Sequence, residues 1–553
     1  MFGQETLFSG EKGDSEKTKD PKRGSIHMRG KMGEMKMQGM TWKTSKSWTG
    51  LAVMVATLGF NLGSVAQATE MTAVLRLQEK VPMESLAAVI HEGRSPMLRG
   101  YTAEEIRQIA APEPVEYDAL IASLRQEGFT ITGESTTRLW VSVKADHSLF
   151  EKVFSTKLET NLQNERRAMV EPSVPAHLGL VAAVNGLSSF KRRNPLMRKS
   201  MGLTATPQGG LSRDEIVQAY HLDSLYAAGY NGSGQDVAVA TYGDVKTEVI
   251  QSFYQQLELS PAPSVDKVTF NGPAALDDDA ATETSLDAEF IGMIAPGAHV
   301  HVFTSAANSD AGEMQLFTAI LDDGRAKVVN YSWGGCEPQL TAQHAAEMGK
   351  VFARAVAQGV NILVASGDNG SDSCNNGKTA ADWPAAHPSV VAVGGTSLNA
   401  TAGGFNETAW SGSGGGISKK WAAPAWQKGA TRQTKRVYPD VSFNADGKVS
   451  PQPIYISYKG QVGWAPVGGT SMATPQWAGF LALVNAARAQ NGKAALGFLN
   501  PLIYGLDSGT RASAFNDVTE GSNGAYKAGV GFDAVTGWGS MNGAALAPVL
   551  VGL

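Results

Sequence analysis

The sequence predicts an α/β fold with a mostly parallel sheet and helices on both faces, preceded by a smaller α/β unit. After residue 210 the composition shifts to Ala, Gly and Val, and short apolar runs appear at 236–240, 300–303, 328–331, 361–364 and 390–393. Helical stretches separate these runs at 284–294, 313–321 and 342–358. Such alternation is typical of a parallel sheet covered by crossover helices. Active sites in these sheets lie at the carboxyl ends of the strands.

The net charge is unevenly distributed along the 553 residues. Residues 1–200 carry +5 and residues 201–553 carry −10, with histidine counted as neutral. Nucleic-acid-binding proteins are usually basic, so we expect no nucleic-acid partner. The 2 cysteines exclude a disulfide-rich miniprotein and a four-cysteine zinc site. No apolar run reaches the roughly 20 residues of a membrane span, so we expect no stable membrane span.

Residues 1–68 are predicted to be an N-terminal extension that ends in a signal peptide. Lys43 and Lys46 precede the apolar stretch 48–62, and Ala66-Gln67-Ala68 is a small-x-small cleavage pattern. This order is typical of a secretory signal. A membrane anchor is the alternative, but two glycines interrupt the apolar region. We therefore expect secretion to an extracellular or periplasmic space, where a disulfide persists.

Residues 69–200 form the predicted smaller unit. Strands are predicted at 71–77, 130–132 and 139–143, and helices at 83–91, 103–110, 117–127 and 148–153. A basic segment closes the unit with Lys191, Arg192, Arg193, Arg198 and Lys199. The Gly-, Thr- and Pro-rich residues 202–210 that follow predict an exposed linker and a cleavage site. An ordinary domain junction is the alternative.

A serine in a glycine-rich turn is the candidate nucleophile. The octapeptide Gly468-Gly469-Thr470-Ser471-Met472-Ala473-Thr474-Pro475 runs into a helix predicted at 476–487. Glycines allow a close backbone approach, and a helix start offers N–H groups to an oxyanion. Gly-Thr-Ser alone could be a simple helix cap. The whole octapeptide, however, resembles the nucleophile segment of subtilisin-like peptidases.

The partners of a subtilisin serine are missing from their usual places. The first strand of the main block reaches Thr241 where an aspartate is expected, and none of the 9 histidines lies in a His-Gly-Thr-His segment. The base that accepts the serine proton must therefore be a different residue.

Three carboxylates are the candidates for this role and for the oxyanion site. Glu283 and Asp287 are four residues apart on one helical face, where two like charges repel unless they share a proton. A solvated acidic face is the alternative. Asp368 lies in a glycine-flanked turn just past a predicted strand. It is either an ordinary turn residue or a protonated acid that donates to an oxyanion.

This combination resembles the sedolisins, the serine-carboxyl peptidases, which are similar to subtilisin in fold. The resemblance covers nearly the whole chain after the predicted signal peptide and implies Ser471 as nucleophile, Glu283 and Asp287 as acid–base pair, and Asp368 in the oxyanion hole. Supporting segments are 331–335, 393–396, 413–418, 438–442 and, in the prosegment, 98–105. Met472-Ala473-Thr474 departs from the family towards the subtilisin pattern.

The resemblance also implies the domain organisation and the activity. Residues 69–200 are expected to be an inhibitory activation propeptide with a ferredoxin-like fold, and residues 201–553 the peptidase domain. The expected activity is that of a secreted, self-processing, monomeric endopeptidase acting on proteins and peptides, with its own propeptide as intramolecular inhibitor. Ser332, Trp333 and Gly334 resemble the edge that pairs with an extended substrate.

The predicted working pH is acidic. A glutamate with an ordinary pKa near 4.3 is ionised only from about that pH upward, so we expect activity at about pH 3–5. A neutral subtilisin-type peptidase is one alternative, which the absence of a histidine box disfavours. An inactive binding module on the same fold is another, which the complete set of four candidate catalytic residues disfavours.

Glycine-rich turns near the C-terminus suggest a site for one Ca²⁺ ion. Hard oxygen ligands from carboxylates and main-chain carbonyls suit calcium, although two ordinary Asx turns would explain the same pattern. The sedolisin resemblance implies Asp517 and Asp533 as carboxylate ligands, and Val518, Gly529 and Gly531 as carbonyl ligands. Zinc is disfavoured because no His or Cys lies nearby.

The 2 cysteines are predicted to form a disulfide. Cys336 and Cys374 each follow a predicted strand, and one crossover helix separates these strands. Such a crossover usually places successive strands side by side with their carboxyl ends together, so both thiols should emerge at one rim. Two free buried thiols are the alternative.

Overall fold

The computed structural model describes residues 70–91, 100–161, 166–188, 193–199, 202–270, 272, 274 and 277–553. The predicted signal peptide, the Leu98-Arg99 pair of the prosegment pattern, and Lys191 and Arg192 of the basic segment lie outside these residues. Within the described ranges, no helix is both long and apolar enough to cross a membrane.

The N-terminal α/β unit is built on a four-stranded antiparallel sheet. Its strands run in the order Thr130–Glu134, Trp140–Asp146, Glu70–Leu77 and Val181–Asn185. Its helices are Met83–His91, Ala103–Ala110, Pro114–Glu127 and His147–Val153, and its hairpin consists of Lys157–Thr160 and Arg166–Val170. This β-α-β-β-α-β order is the predicted ferredoxin-like topology. Leu75, Leu124 and Phe150 are fully buried in a core of its own.

The larger unit, from residue 202 onward, is organised around a mostly parallel sheet of ten strands in the described residues. The strands run in the order Ser264–Phe270, His299–Ser305, Asp236–Thr241, Val328–Tyr331, Asn361–Ala365, Val391–Thr401, Val441–Asn444, Ser540–Met541 and Phe515–Asn516, and Gly404–Ala409 pairs with Val391–Thr401. Neighbours are parallel, except for the last pair and this hairpin. The central strands are almost entirely buried, as expected for a sheet covered by helices.

Two pairs of helices pack against this sheet. Asp278–Ile294 packs on Thr470–Gln490, and Asp310–Asp323 packs on Ala342–Ala357. The other α-helices are Arg213–Ala219, Asp223–Ala227, Thr247–Gln256, Leu499–Tyr504, Ser508–Ala514 and Gly543–Gly552. The predicted mostly parallel α/β architecture is therefore confirmed.

Several predicted boundaries were wrong, and long-range packing explains why. The nucleophile helix begins at Thr470, not after Pro475, because it is buried along almost its whole length and tolerates the proline inside. The helix that carries Glu283 begins at Asp278, where the side chain of Asp277 accepts the N–H groups of Asp279 and Ala280. An acidic run capped by aspartate is a helix-start signal that could have been found in the sequence.

Several antiparallel pairs were not predicted. They are Gly404–Ala409 on Val391–Thr401, Gly416–Ala422 on Lys435–Tyr438, Gln452–Tyr458 on Gln461–Gly468, and Trp333–Cys336 on Asp382–Trp383. The linker prediction was right in part. Residues 205–210 are exposed, but Arg193 of the preceding basic segment is buried.

The disulfide between Cys336 and Cys374 is present, with the two Cα atoms 4.9 Å apart. Cys336 ends the strand Trp333–Cys336, and Cys374 lies in the loop that follows Asp368. The bridge therefore joins two loops at the carboxyl-end rim of the sheet, as predicted from the crossover helix.

Replacing both cysteines with serine should lower the free energy of unfolding by roughly 3–4 kcal/mol, because the bridge closes a long loop in the unfolded chain. Urea denaturation of the full chain carrying Ser471→Ala, which removes the hydroxyl of the candidate nucleophile, measures the loss. Chemical reduction of the disulfide in the parent protein should cause the same loss of unfolding free energy. A double variant as stable as its parent would contradict this expectation.

Glu289 is a buried carboxylic acid in the helix Asp278–Ile294. Its Oε2 accepts the backbone N–H of Tyr455 at 3.0 Å, whereas its Oε1 has no hydrogen-bond partner. Burial raises the pKa of Glu289 well above its usual value, and the bond from Tyr455 opposes this only in part. The folded protein therefore keeps a proton on Glu289 at pH values where the unfolded chain has lost it.

Because the folded state binds this proton more tightly, the contribution of Glu289 to stability is complete below about pH 4 and is lost as the pH rises. The glutamine of Glu289→Gln stays neutral at every pH. The free energy of unfolding of this variant should therefore decrease less steeply between pH 4 and 7, and the slope should differ from that of the parent by up to about 1.4 kcal/mol per pH unit. Urea denaturation in the Ser471→Ala background measures this, with exposed Glu520→Gln as the matched control. If the free energy of unfolding depends equally on pH in the parent, in Glu289→Gln and in Glu520→Gln, the prediction is refuted.

Candidate active site

Ser471 lies in the first turn of the helix Thr470–Gln490 and is fully buried. The preceding Gly469 has a φ of 112°, a left-handed conformation that favours glycine, so the chain can turn sharply into the helix. The Ser471 hydroxyl points to the backbone carbonyl of Ser332, 3.4 Å away. No histidine in the described part of the chain hydrogen-bonds to it.

Glu283 and Asp287 lie beside this serine, both fully buried on the helix Asp278–Ile294. Asp287 Oδ1 accepts the hydroxyl proton of Ser332 at 2.6 Å. The Ser471 hydroxyl is close enough to Glu283 to influence its pKa, and neither oxygen of Glu283 makes another hydrogen bond. The structure therefore brings the three predicted residues together, with the Glu283 carboxyl open towards the serine.

The environment of the two carboxyls favours their neutral forms. Burial raises the pKa of Glu283 well above its usual value, and the charge of Asp287 raises it further. Burial also raises the pKa of Asp287 to about 8, although hydrogen bonds from Ser332 and Asn330 lower it. Because the two groups interact strongly, they titrate as a pair, and this pair holds a proton more readily than a free carboxyl does.

Asp368 follows the strand Asn361–Ala365 and is 6% exposed. Its Oδ1 accepts the backbone N–H of Thr470 at 2.8 Å and the Thr470 hydroxyl at 3.0 Å. The turn is held further by Gly367, whose N–H donates to Thr470 Oγ1 at 3.1 Å. Asp368 is therefore fixed to the start of the nucleophile helix.

The predicted substrate edge pairs with a segment of the chain itself. Asn194–Pro195 lies antiparallel to the strand Trp333–Cys336, with Asn194 opposite Gly334. The next N–H, of Leu196, donates to the Ser332 carbonyl at 3.1 Å. On the other side of the site, the backbone of Arg198–Lys199 pairs antiparallel with Val467 and Gly468. Residues 194–199 therefore cross the cleft as an extended strand between two edges.

The Leu196 carbonyl is positioned at the nucleophile. Its oxygen accepts the backbone N–H of Ser471 at 3.2 Å. A Cβ atom added to Gly469 would lie 2.5 Å from this oxygen and 2.6 Å from Asp368 Oδ2, so both oxygens converge on the same side of Gly469. The carbonyl of Leu196 thus lies between an N–H donor and a carboxyl group, as an oxyanion hole requires.

The side chains of Ser332 and Trp333 point away from the cleft. Ser332 binds Asp287, and the buried indole Nε1 of Trp333 donates to Thr241 Oγ1 at 3.1 Å. Thr241 stands where a subtilisin would carry aspartate, and here it anchors this tryptophan. The edge therefore contacts residues 194–196 of the chain through its main chain, and the lack of a side chain at Gly334 leaves room for Leu196.

The C-terminal turns bring the two predicted carboxylate ligands to one loop. Asp517 Oδ2 accepts the N–H of Gly531 at 2.8 Å, and Asp533 Oδ2 accepts the N–H of Gly529 at 3.1 Å. Burial raises the pKa of Asp533, against several hydrogen bonds that lower it, so the carboxylate favours a proton or a cation as partner. An oxygen-only donor set of this kind fits calcium.

Comparison with known proteins agrees with this geometry. Residues 274–499 match the Subtilase family, and residues 62–190 match the Pro-kumamolisin activation domain. Kumamolisin of Bacillus sp. (strain MN-32) is 33% identical over 417 residues, which cover 68% of this chain and 72% of the relative. Sedolisin of Pseudomonas sp. (strain 101) is 29% identical over 511 residues, covering 85% and 84%.

More distant relatives and a solved structure extend the comparison. Human (Homo sapiens) tripeptidyl-peptidase 1 is 25% identical over 531 residues, covering 87% of this chain and 91% of the relative. The structure of Pseudomonas sedolisin, a serine-carboxyl proteinase complexed with two molecules of pseudo-iodotyrostatin, aligns with a TM-score of 0.54 and 31% identity, covering 62% of this chain and 98% of that one. The chain therefore belongs to the sedolisin family of serine-carboxyl peptidases and carries an activation prosegment ahead of its peptidase domain.

Proposed function

We propose that the protein is an acid-acting endopeptidase, made as a zymogen, that cleaves its own chain between Leu196 and Met197. One observation carries this proposal: the Leu196 carbonyl oxygen accepts the N–H of Ser471 while the flanking residues pair with both edges of the cleft. This is the geometry of a bound substrate. The prosegment therefore blocks the cleft and also presents the bond to be cut.

The proposed cleavage uses two side chains, Ser471 and Glu283. Glu283 takes the hydroxyl proton of Ser471 as its oxygen attacks the Leu196 carbonyl carbon. The bond to the Met197 nitrogen then breaks, and Glu283 returns the proton to that nitrogen. The acyl group remains on Ser471 as an ester. A water molecule, deprotonated by Glu283, then hydrolyses the ester and regenerates the serine.

The remaining two carboxyls supply charge and orientation. Asp287, held by Ser332, shares a proton with Glu283 and so lets Glu283 act as a base without placing two negative charges side by side. Asp368 in its protonated form and the N–H of Ser471 donate to the developing oxyanion. Because the mechanism needs a protonated Asp368, activity ends as the pH rises and this group ionises.

Acid pH also loosens the docked prosegment. His91 accepts a hydrogen bond from Trp426 Nε1 of the peptidase domain at 3.0 Å. Burial, together with the nearby charge of Arg436, lowers the pKa of His91 to about 4. Since a free histidine has a pKa near 6.5, the docking contribution is complete above that pH and is lost as the pH falls towards 4. Acidification therefore releases the inhibitor in the pH range where the enzyme works.

The domain organisation of the precursor belongs to this proposal. Residues 1–68 direct secretion, residues 69–200 form the inhibitory propeptide, and residues 201–553 form the peptidase domain. The proposed cleavage lies just before the second boundary, within the strand that occupies the cleft. The exposed residues 205–210 would then remain as a free tail on the mature enzyme.

A calcium ion is the proposed cofactor of the C-terminal loop. Asp517, Asp533 and the carbonyls of Val518, Gly529 and Gly531 would hold it. When bound, the ion supplies positive charge to the buried carboxylate of Asp533 and ties two turns together. It takes no part in the peptide-bond chemistry and stabilises the folded domain.

Ser471→Ala and Glu283→Gln should each abolish self-processing and hydrolysis of denatured protein, because nucleophile and base act as a unit. The wild-type protein at acid pH should instead yield a new N-terminus at Met197, read by N-terminal sequencing. Activity against pH distinguishes the alternatives: an optimum at neutral pH indicates a subtilisin-type peptidase, and no activity indicates a binding module. Wild-type processing by either variant would refute the assignment.

Asp368→Asn should lower kcat by about 100-fold, the usual effect of weakening one oxyanion donor, while the protein stays folded. The amide is nearly isosteric but cannot ionise, so the decline of residual activity at higher pH should move upward or disappear. Steady-state kinetics across the pH range, with circular dichroism as the folding control, provide the measurement. Unchanged kinetics and an unchanged profile would remove Asp368 from the mechanism.

Calcium chelation at neutral pH should lower the melting temperature of the Ser471→Ala precursor, and Asp533→Ala should abolish the response. An ion present at a hundred times its Kd stabilises the folded state by about 2.7 kcal/mol. Glu520→Ala, an exposed carboxylate in the same region, should keep the response to the chelator. If the parent protein melts at the same temperature with and without chelator, the loop does not bind calcium.

A further inference from the structure

Arg193, three residues before Leu196, is a buried side chain directly ahead of the strand in the cleft. It is 4% exposed, whereas the neighbouring Asn194 is exposed. Its Nε donates to Glu313 Oε1 at 2.7 Å, and a terminal nitrogen pairs with Glu313 Oε2. The guanidinium also lies 3.9 Å from Asp310 and 5.9 Å from the centre of the Trp383 ring. A paired guanidinium and carboxylate of this kind give directional recognition of arginine.

The pocket that receives Arg193 belongs entirely to the peptidase domain. Glu313 is fully buried, and Tyr331, His344 and Trp383 also contact its carboxyl group. The Tyr331 hydroxyl donates to Oε1 at 3.0 Å, His344 Nε2 lies 2.6 Å from Oε2, and the Trp383 indole donates to Oε2 at 3.3 Å. These contacts orient the carboxylate independently of the prosegment. The proposed cleavage after Leu196 therefore removes none of the peptidase-domain residues that hold this carboxylate.

The electrostatics of the pocket favour a cation. Burial raises the pKa of Glu313, but the charge of Arg193 and the contact with His344 overcome it and hold the pKa well below its usual value. A buried carboxylate is costly unless a positive charge pairs with it. A neutral side chain in the place of Arg193 would therefore leave that charge poorly compensated.

The main chain at this position is held regardless of residue type. Asn308 accepts the backbone N–H of Arg193 at 3.1 Å and donates to its carbonyl at 2.8 Å. Together with the Leu196 carbonyl at Ser471, this clamp sets the register of the strand. Any substrate in the same register places the corresponding side chain at Glu313.

We propose that Glu313, together with Asp310 and His344, forms a specificity subsite that selects an arginine three residues before the residue whose carbonyl carbon is attacked. This inference rests on the proposed peptidase function and on the proposed cleavage after Leu196. Glu313 is a specificity-determining residue here, since it contacts the substrate but takes no part in bond cleavage. The competing role is a lock that only fastens the prosegment and has no influence on other substrates.

The test uses the mature, self-processed enzyme and quenched fluorescent peptides with the sequence of residues 193–199. In one peptide the arginine is replaced with citrulline, which keeps the shape and loses the charge, and in a control peptide Asn194 is replaced with alanine. The citrulline peptide should show a kcat/KM lower by on the order of 30-fold or more, mainly through KM, as expected for breaking a buried charge pair. The alanine control should remain close to the parent peptide.

Variants of the enzyme test whether the preference for arginine over citrulline depends on Glu313. Glu313→Gln should lower kcat/KM for the arginine peptide far more than for the citrulline peptide, so that the preference disappears. Asp323→Asn, a carboxylate at the other end of the same helix, should keep the preference. Should Glu313→Gln fail to fold or mature, the comparison of peptides on the wild-type enzyme decides by itself.

Two failures are distinguishable. Equal kcat/KM for the arginine and citrulline peptides on the wild-type enzyme would overturn the subsite and leave the proposed peptidase function intact. In that case Arg193 only locks the prosegment. If no peptide and no denatured protein were hydrolysed at acid pH, the proposed function would fail and the subsite with it.

Discussion

The close packing of the helix Asp278–Ile294 on the helix Thr470–Gln490 is the constraint on which the site depends. A Cβ atom added to Gly479 would lie 2.7 Å from Ile294 Cβ, so only glycine allows this approach. The contact brings Glu283 beside Ser471 in the protein interior, where both side chains are fully buried. A carboxyl buried in the protein interior holds its proton more tightly than a carboxyl in water. The acid–base properties of the pair are therefore a consequence of helix packing.

A second constraint is that the cleft must accept a main chain and not particular side chains. Both edges offer backbone groups, and the side chains of Ser332 and Trp333 point inward to Asp287 and Thr241. Discrimination between sequences is therefore left to pockets away from the edges. The Glu313 pocket is one such place, because it combines a fixed carboxylate with a clamped backbone.

The prosegment uses the same cleft and adds contacts elsewhere on the peptidase domain. Arg76 pairs with Glu347 at 2.8 Å, and the backbone N–H of Thr136 donates to Asp322 at 3.0 Å. Gly100 approaches so closely that an added Cβ would lie 2.3 Å from the backbone of Gln358. The inhibitor is thus held by charged groups and by close fit, while its connection to the enzyme runs through the active site.

The sequence by itself determined the fold class and the family, and it pointed to the candidate site residues, because these depend on short-range patterns. The octapeptide around Ser471, the four-residue spacing of Glu283 and Asp287, and the single crossover helix between the cysteines are all local features. They predicted a carboxylate pair on one helical face and a disulfide, both of which the structure contains, and they pointed to Ser471 as the candidate nucleophile.

Only the tertiary structure decided which distant residues meet. Arg193 and Glu313 are 120 residues apart, and Arg193 was grouped in the sequence with other basic residues near an exposed linker. Thr241 was noted only for the missing aspartate, yet it anchors Trp333. The helix starts and the antiparallel hairpins were also missed. Burial and pairing between segments far apart in the chain set these features, and neither composition nor periodicity within one segment carries that information.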